Sequence, residues 1–154
     1  MEVKVVTATR NHAHAMAPHM RKKDAAEVWA AYHHCPKEAL VRSLRASTSA
    51  WTVLVDGTPV MMFGVGSFNL LDCQGHPWLL ATDKIRNLGT RIIRGTRKYL
   101  DIMLEMYPEL VNYVDARQTS TLRWLRWCGF SIHEAQDFGA EGLPFHKVTL
   151  RGRS

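Results

Sequence analysis

The sequence predicts a single α/β domain on a mixed sheet over residues 1–154. Three observations carry this. Asp56-Gly57 sits between two apolar runs, the strongest short-range signal for a hairpin. Thr90 to Tyr107 is long and amphipathic and is closed by Pro108. The second half alternates strand, helix, strand and helix, which implies a parallel pair within the sheet.

Val3 to Thr7 reads as a first strand. Asn11 is placed to cap a helix from His12 to about Met20, and Asp24 to cap a second. In that second helix Ala25, Val28, Trp29 and Tyr32 approach the i, i+3, i+4, i+7 spacing, and it should stop before Pro36. Trp51 to Val55 and Pro59 to Val65 form the hairpin. Residues 69–77 form a polar connection, and His76 to Thr82 a third strand.

The helix from Thr90 places Ile92, Ile93, Leu100, Met103, Leu104 and Tyr107 on one face. Arg91, Arg94, Arg97, Lys98, Asp101 and Glu105 lie largely outside that stripe. Leu110 to Asp115 is a buried-type strand. Thr119 or Ser120 opens a short helix ending at Gly129, a natural terminator. Residues 130–132 and His146 to Leu150 are the last strands, around a turn with Gly139 and Gly142. The predicted order is β-α-α-β-β-β-α-β-α-β-β.

Apolar residues make up 46% and charged residues 22% of the chain, the balance of an ordinary globular protein. No apolar run approaches the roughly 20 residues needed to span a bilayer, and the start lacks the layout of a secretion signal. Cys35, Cys73 and Cys128 are odd in number without a C-x-x-C pair, which argues against a disulfide framework or zinc knuckle. They read as packing residues in a reducing cytoplasm. Net charge is +6, and between Lys84 and Arg126 nine Lys or Arg stand against four Asp or Glu. The excess positive charge is therefore concentrated there, which favours a polyanionic or phosphate-rich partner.

The segment Ala81-Thr82-Asp83-Lys84-Ile85-Arg86-Asn87-Leu88-Gly89-Thr90-Arg91 leaves a strand, turns, and enters the long helix. The first four amides of a helix have no partner within it, so such a turn suits an anion, and a pyrophosphate in particular. Gly89 would allow close backbone approach, and Arg86, Arg91 and Arg94 add charge. An ordinary strand-to-helix turn beside a solvated basic face fits the same spacing.

The element order and this turn resemble the GCN5-related N-acetyltransferases (GNAT), the acyl-CoA N-acyltransferase fold. Their V-x-P-x-x-[QR]-x-x-G-x-[GA] pattern is matched in register by Ala81, Arg86 and Gly89, with Asp83 in place of proline and Arg91 in place of the last small residue. A second element, N-x-x-A-x-x-[FL]-Y-x-x-x-G-F, resembles Gln118 to Phe130: Gln118 stands for asparagine, Trp124 fills the aromatic or aliphatic place, and Gly129-Phe130 closes it. The resemblance implies that acetyl-CoA or CoA is held by Ala81, Thr82, Asp83, Arg86, Asn87, Leu88, Gly89, Thr90 and Arg91, with Gln118, Thr121 and Trp124 beside them. It also implies a strand at Trp78–Thr82 that holds the pantetheine arm by main-chain bonds. Where most of the family carries a tyrosine acid, this chain has Leu125. Leucine cannot give general-acid catalysis, an effect of about 10²–10⁴-fold.

A narrower resemblance links Leu110 to Asp115, Thr119-Ser120, Arg123-Trp124-Leu125 and Gly129 to the acetyltransferase-like internal virion proteins of short-tailed phages. Two expectations follow. The first is transfer of acetyl from acetyl-CoA to an amine acceptor by a phage- or prophage-encoded protein. The second is a catalytically silent fold that serves assembly with other virion proteins, in the host cytoplasm or the virion. A basic nucleic-acid-binding module is a third and least favoured expectation, because the helix accounts for the charge and no recognition motif appears.

No residue is singled out as catalytic. Tyr113 or Cys128 could replace the missing acid, and His76 or His133, at strand ends, could act as base. Glu27, Glu38 and Asp72 could take a proton from an acceptor amine. His12, His14, His19, His33 and His34 lack the i, i+4 spacing of a zinc pair, so no metal is expected.

Overall fold

The computed structural model describes residues 1–67, 71 and 73–152. The chain runs through β1 (Val3–Thr7), α1 (Arg10–Met16), a 3-10 turn (Ala17–His19), α2 (Lys22–Tyr32), α3 (Pro36–Ala46), β2 (Ser47–Val55), β3 (Thr58–Gly66) and β4 (Gln74–Ala81). A second 3-10 turn (Asp83–Leu88) leads to α4 (Thr90–Met106), β5 (Glu109–Asp115), α5 (Thr119–Trp127), β6 (Ser131–Phe138) and β7 (Leu143–Arg151). The strands form one seven-stranded sheet in the order β1-β2-β3-β4-β5-β7-β6. The expected parallel pair is β4 with β5; every other pairing is antiparallel.

Strand alternation sorts the core onto two faces. Val53, Met61 and Phe63 face α4, where they pack with Leu100 and Met103. Met62 and Leu80 point the other way, against Ala13 and Met16 of α1 and Ala39 and Leu40 of α3. A third cluster joins Ala30 and Ala31 of α2 to Phe145 of β7. Each fully buried large side chain contributes about 1.5–3 kcal/mol.

Several sequence expectations are corrected. The cap of α1 is Thr9 rather than Asn11: the Thr9 hydroxyl accepts from His12 N at 3.2 Å, and His12 Nδ1 accepts from Thr9 N at 3.1 Å. That helix ends at Met16, not near Met20. Asp24 lies inside the first turn of α2 and does not cap it. Pro36 opens a third helix that the predicted order lacks; its fixed φ and missing N–H suit the first helical position. Cys35 and Cys73 are exposed, and of the three cysteines only Cys128 packs inside. In the predicted connection 69–77, residues 69, 70 and 72 lie outside the described residues, and the strand begins at Gln74.

Candidate functional site

β4 and β5 pair only at Gln74↔Glu109 and Gly75↔Leu110, then part. At the crotch of the fork a His76 Nδ1···Val111 O contact of 3.0 Å and a bond from the Asn112 amide to Pro77 O bridge the two strands. Thr82 N donates to Val60 O on β3. Alternation therefore turns the main-chain groups of Pro77, Leu79 and Ala81 toward the fork. Proline has no N–H to offer there, so Pro77 is accommodated inside a strand.

The fork opens into a cleft of about 490 Å³. Its walls include Leu79 of β4, Val114 of β5, Ile92 and Tyr99 of α4, and Trp124 and Leu125 of α5. The lining is mostly apolar. Trp124 carries one exception, an indole N–H buried without a hydrogen-bond partner among the described residues.

At the far end of β4 the chain meets itself. Arg21 N donates to Ala81 O at 2.8 Å, and Ala81 N donates to Asp24 Oδ2 at 2.9 Å. The Arg21 guanidinium grips the same carboxylate with two bonds of 3.0 Å. Burial raises the Asp24 carboxyl, opposed by Arg21 and by the Ala81 amide. One turn on, burial and then the Asp24 charge push Glu27 up to about 7. Asp115, at the end of β5, is held below the carboxylate range by hydrogen bonds from Arg117. Lys23 also lines the cleft, and burial lowers its ammonium, with Arg21 and Arg86 adding repulsion.

The connection after β4 is a 3-10 turn rather than a bare loop. Thr82 Oγ1 accepts from Lys84 N at 3.3 Å, Leu88 is buried, and Asp83, Arg86, Asn87, Thr90 and Arg91 are exposed. Gly89 has φ +53° and ψ −129°, and no side chain caps the start of α4 there. A Cβ at Gly89 would meet nothing within 4 Å. Leu88, Gly89 and Arg91 line the cleft together with Gln118 and Thr121, and Gln118 Nε2 donates to Lys23 O at 3.3 Å.

Tyr113 reaches the cleft, with its ring stacked on Phe138 at 4.3 Å. Cys128 lines it too, its thiol pushed up by burial. Glu27 is a cleft residue, whereas Glu38 pairs with Arg42 on α3 at 3.4 Å. His76 sits at the crotch, and His133 lies on β6, bonded to Thr149 at 3.0 Å. Asp72 lies outside the described residues. No group of three metal-ligating side chains occurs among the described residues. The Arg21–Asp24 pair and Lys23 escaped the sequence reading; the dense charge of Arg21-Lys22-Lys23-Asp24 at a helix start was the available signal.

No protein-family model matches the chain. The fold is shared with solved acetyltransferases. An N-acetyltransferase from Staphylococcus aureus Mu50 superposes with TM-score 0.72 at 12% identity, covering 98% of this chain and 99% of that one. The ribosomal-protein-alanine N-acetyltransferase of Brucella melitensis gives 0.69 at 15%, covering 97% and 99%. RimL, the ribosomal L7/L12 α-N-protein acetyltransferase solved with coenzyme A, gives 0.71 at 5%, covering 97% and 93%. In sequence, the chain is 30% identical over 116 residues to the "Probable scaffold protein gp13" of Escherichia phage T7, covering 70% of this chain and 79% of the relative. On a GNAT acetyltransferase fold, then, this chain belongs to the family of the phage T7 protein gp13.

Proposed function

We propose that this protein serves virion assembly in a short-tailed phage, as a scaffold-type component that keeps the acetyltransferase fold without turnover. The observation that carries this is the Asp24–Ala81 bond: the main-chain group that would hold the arm of an acyl-CoA is occupied by the chain's own carboxylate at 2.9 Å. Leu125, in the place where the related enzymes keep an acid, lines the same cleft and donates no proton. The description of the T7 relative as a probable scaffold protein supports the assembly role, with other virion proteins as partners and the virion or host cytoplasm as location.

A second reading, acetyl-CoA-dependent transfer to an amine, is favoured by the open space at Gly89 and by the indole N–H of Trp124, which has no partner among the described residues. On that reading Gly89, Gln118, Thr121 and Trp124 hold the acyl-CoA, and Glu27, near neutrality in its titration, takes the amine proton.

Thermal melting with and without acetyl-CoA separates the two. A ligand at 100 times its Kd stabilises the native state by about 2.7 kcal/mol, a shift of roughly 5–10 °C for a chain of this size. The assembly reading expects no shift. A shift of that size that Gly89→Trp abolishes would overturn it in favour of the enzyme.

A further inference from the structure

The excess positive charge between Lys84 and Arg126 falls largely on α4 and α5. Trp127 stands out: it is 68% exposed at the end of α5, next to Arg126 and one turn on from Arg123. α4 exposes Arg91, Arg94 and Lys98 at i, i+3 and i+7, one stripe of the helix. The two helices are joined where Arg97 Nη1 donates to Cys128 O at 3.3 Å, just past the end of α5.

These five are the cations of α4 and α5 that make no ion pair; elsewhere Arg10, Arg45 and Arg86 are likewise unpaired among the described residues. Arg21, Arg42, Arg97, Arg117 and Arg151 all make ion pairs. Among the described residues Arg91, Arg94, Lys98, Arg123 and Arg126 make none. α5 contains no acidic residue, and Asp101 of α4 is engaged by Arg97 at 3.2 Å. Unpaired like charges repel one another, and a large indole in water leaves apolar area uncovered. A partner with evenly spaced negative charges and flat apolar faces relieves both at once. Single-stranded nucleic acid has both features: phosphates for the cations and unpaired bases for the ring. A duplex hides the base faces, and an acidic protein surface offers charge without the stacking plane.

We propose that the α4–α5 face binds single-stranded nucleic acid, with Arg94, Lys98, Arg123 and Arg126 on phosphates and Trp127 stacked on a base. The proposal is independent of the cleft, which neither Arg94, Lys98 nor Trp127 lines.

The test is fluorescence anisotropy of a labelled oligo-dT strand over a salt series. The proteins are the wild type, the double variant Arg94→Ala/Lys98→Ala, and Trp127→Ala, each checked for an unchanged melting temperature. The wild type should bind with an affinity that falls linearly in log–log form with salt. The double variant should flatten that slope by about 1.4, at about 0.7 per lost phosphate contact. Trp127→Ala should weaken binding roughly ten-fold at every salt concentration with the slope unchanged. Absence of oligo-dT binding at low salt, or a Trp127→Ala variant that binds like the wild type, would overturn the proposal. So would poly-glutamate binding as tightly as oligo-dT, which would assign the face to an acidic protein.

Discussion

Asp24 and Ala81 stand 57 residues apart in sequence, yet the carboxylate of one accepts the main-chain N–H of the other at 2.9 Å inside the fork of the sheet. The bond replaces a missing strand partner, because β5 has already diverged from β4 at that level. Arg21 completes the arrangement from both sides, through its own N–H on Ala81 O and its guanidinium on Asp24.

Removing Asp24 leaves the Ala81 amide and the Arg21 guanidinium without their acceptor. Asp24→Ala is expected to destabilise the protein by about 2–4 kcal/mol, since bonds to charged groups contribute more than neutral ones and a buried donor is left unmade. Urea unfolding read by tryptophan fluorescence measures this. An unchanged midpoint would mean that the carboxylate only decorates the strand end.

Glu27 makes stability depend on pH. Burial pushes its carboxyl up to about 7 in the folded state against 4.5 for a free glutamate, so the native chain binds the proton more tightly than the unfolded chain does. Between those values the folded state carries more protons, and stability falls as pH rises from about 4.5 to 7. The shift corresponds to about 3 kcal/mol. Glu27→Gln should remove this contribution, so the difference in unfolding free energy between wild type and variant should grow in favour of the variant over that window. A difference that stays flat with pH would exclude the shift.

Gly89 and Gly139 both adopt positive φ but differ in surroundings. At Gly139, with φ +80°, a Cβ would stand 2.6 Å from Ala31 Cα, while at Gly89 nothing lies within 4 Å. Gly139→Ala should therefore cost about 2–4 kcal/mol from strain and clash together, and Gly89→Ala about 1–2 kcal/mol from conformation alone. Paired thermal melts decide whether that order holds.

Thiol chemistry should follow burial. Cys35 and Cys73 are exposed, whereas Cys128 is buried with its thiol raised by desolvation. An aromatic disulfide reagent should titrate two thiols rapidly in the native protein and the third only after denaturation. Three fast thiols would show that the C-terminal end of α5 opens readily.

Local chemistry explains which elements could be foreseen. Asp56-Gly57 and Pro108 act on their immediate neighbours, so the hairpin and the end of α4 were visible in sequence. Pro36 is ambiguous on its own, because proline both ends one helix and starts another; α2 stops at Tyr32 and α3 begins at Pro36 itself. Asp24 shows the larger gap. Its residue type fits a helix cap, but its acceptor role depends on a strand end that only the fold brings near. In the same way Gly89 was legible as a turn, while the 3-10 turn before it depends on Leu88 packing into the core. Trp127 could not be told from a core tryptophan by spacing, since α5 carries both the exposed ring of Trp127 and the half-buried ring of Trp124.

α2 is anchored at both ends. Its start is bonded to Ala81 on one arm of the fork, and its last turn accepts from Ala140 and Glu141, at 2.8 and 3.0 Å, in the turn between β6 and β7 on the other. The helix is thus a brace across two half-sheets whose strands β4 and β5 pair in register at two positions. Neither half can swing without rupturing an end of that brace, so the amides of Ala81, Ala140 and Glu141 should exchange with solvent as one unit, and motions that widen the cleft belong to the cooperative opening of the molecule.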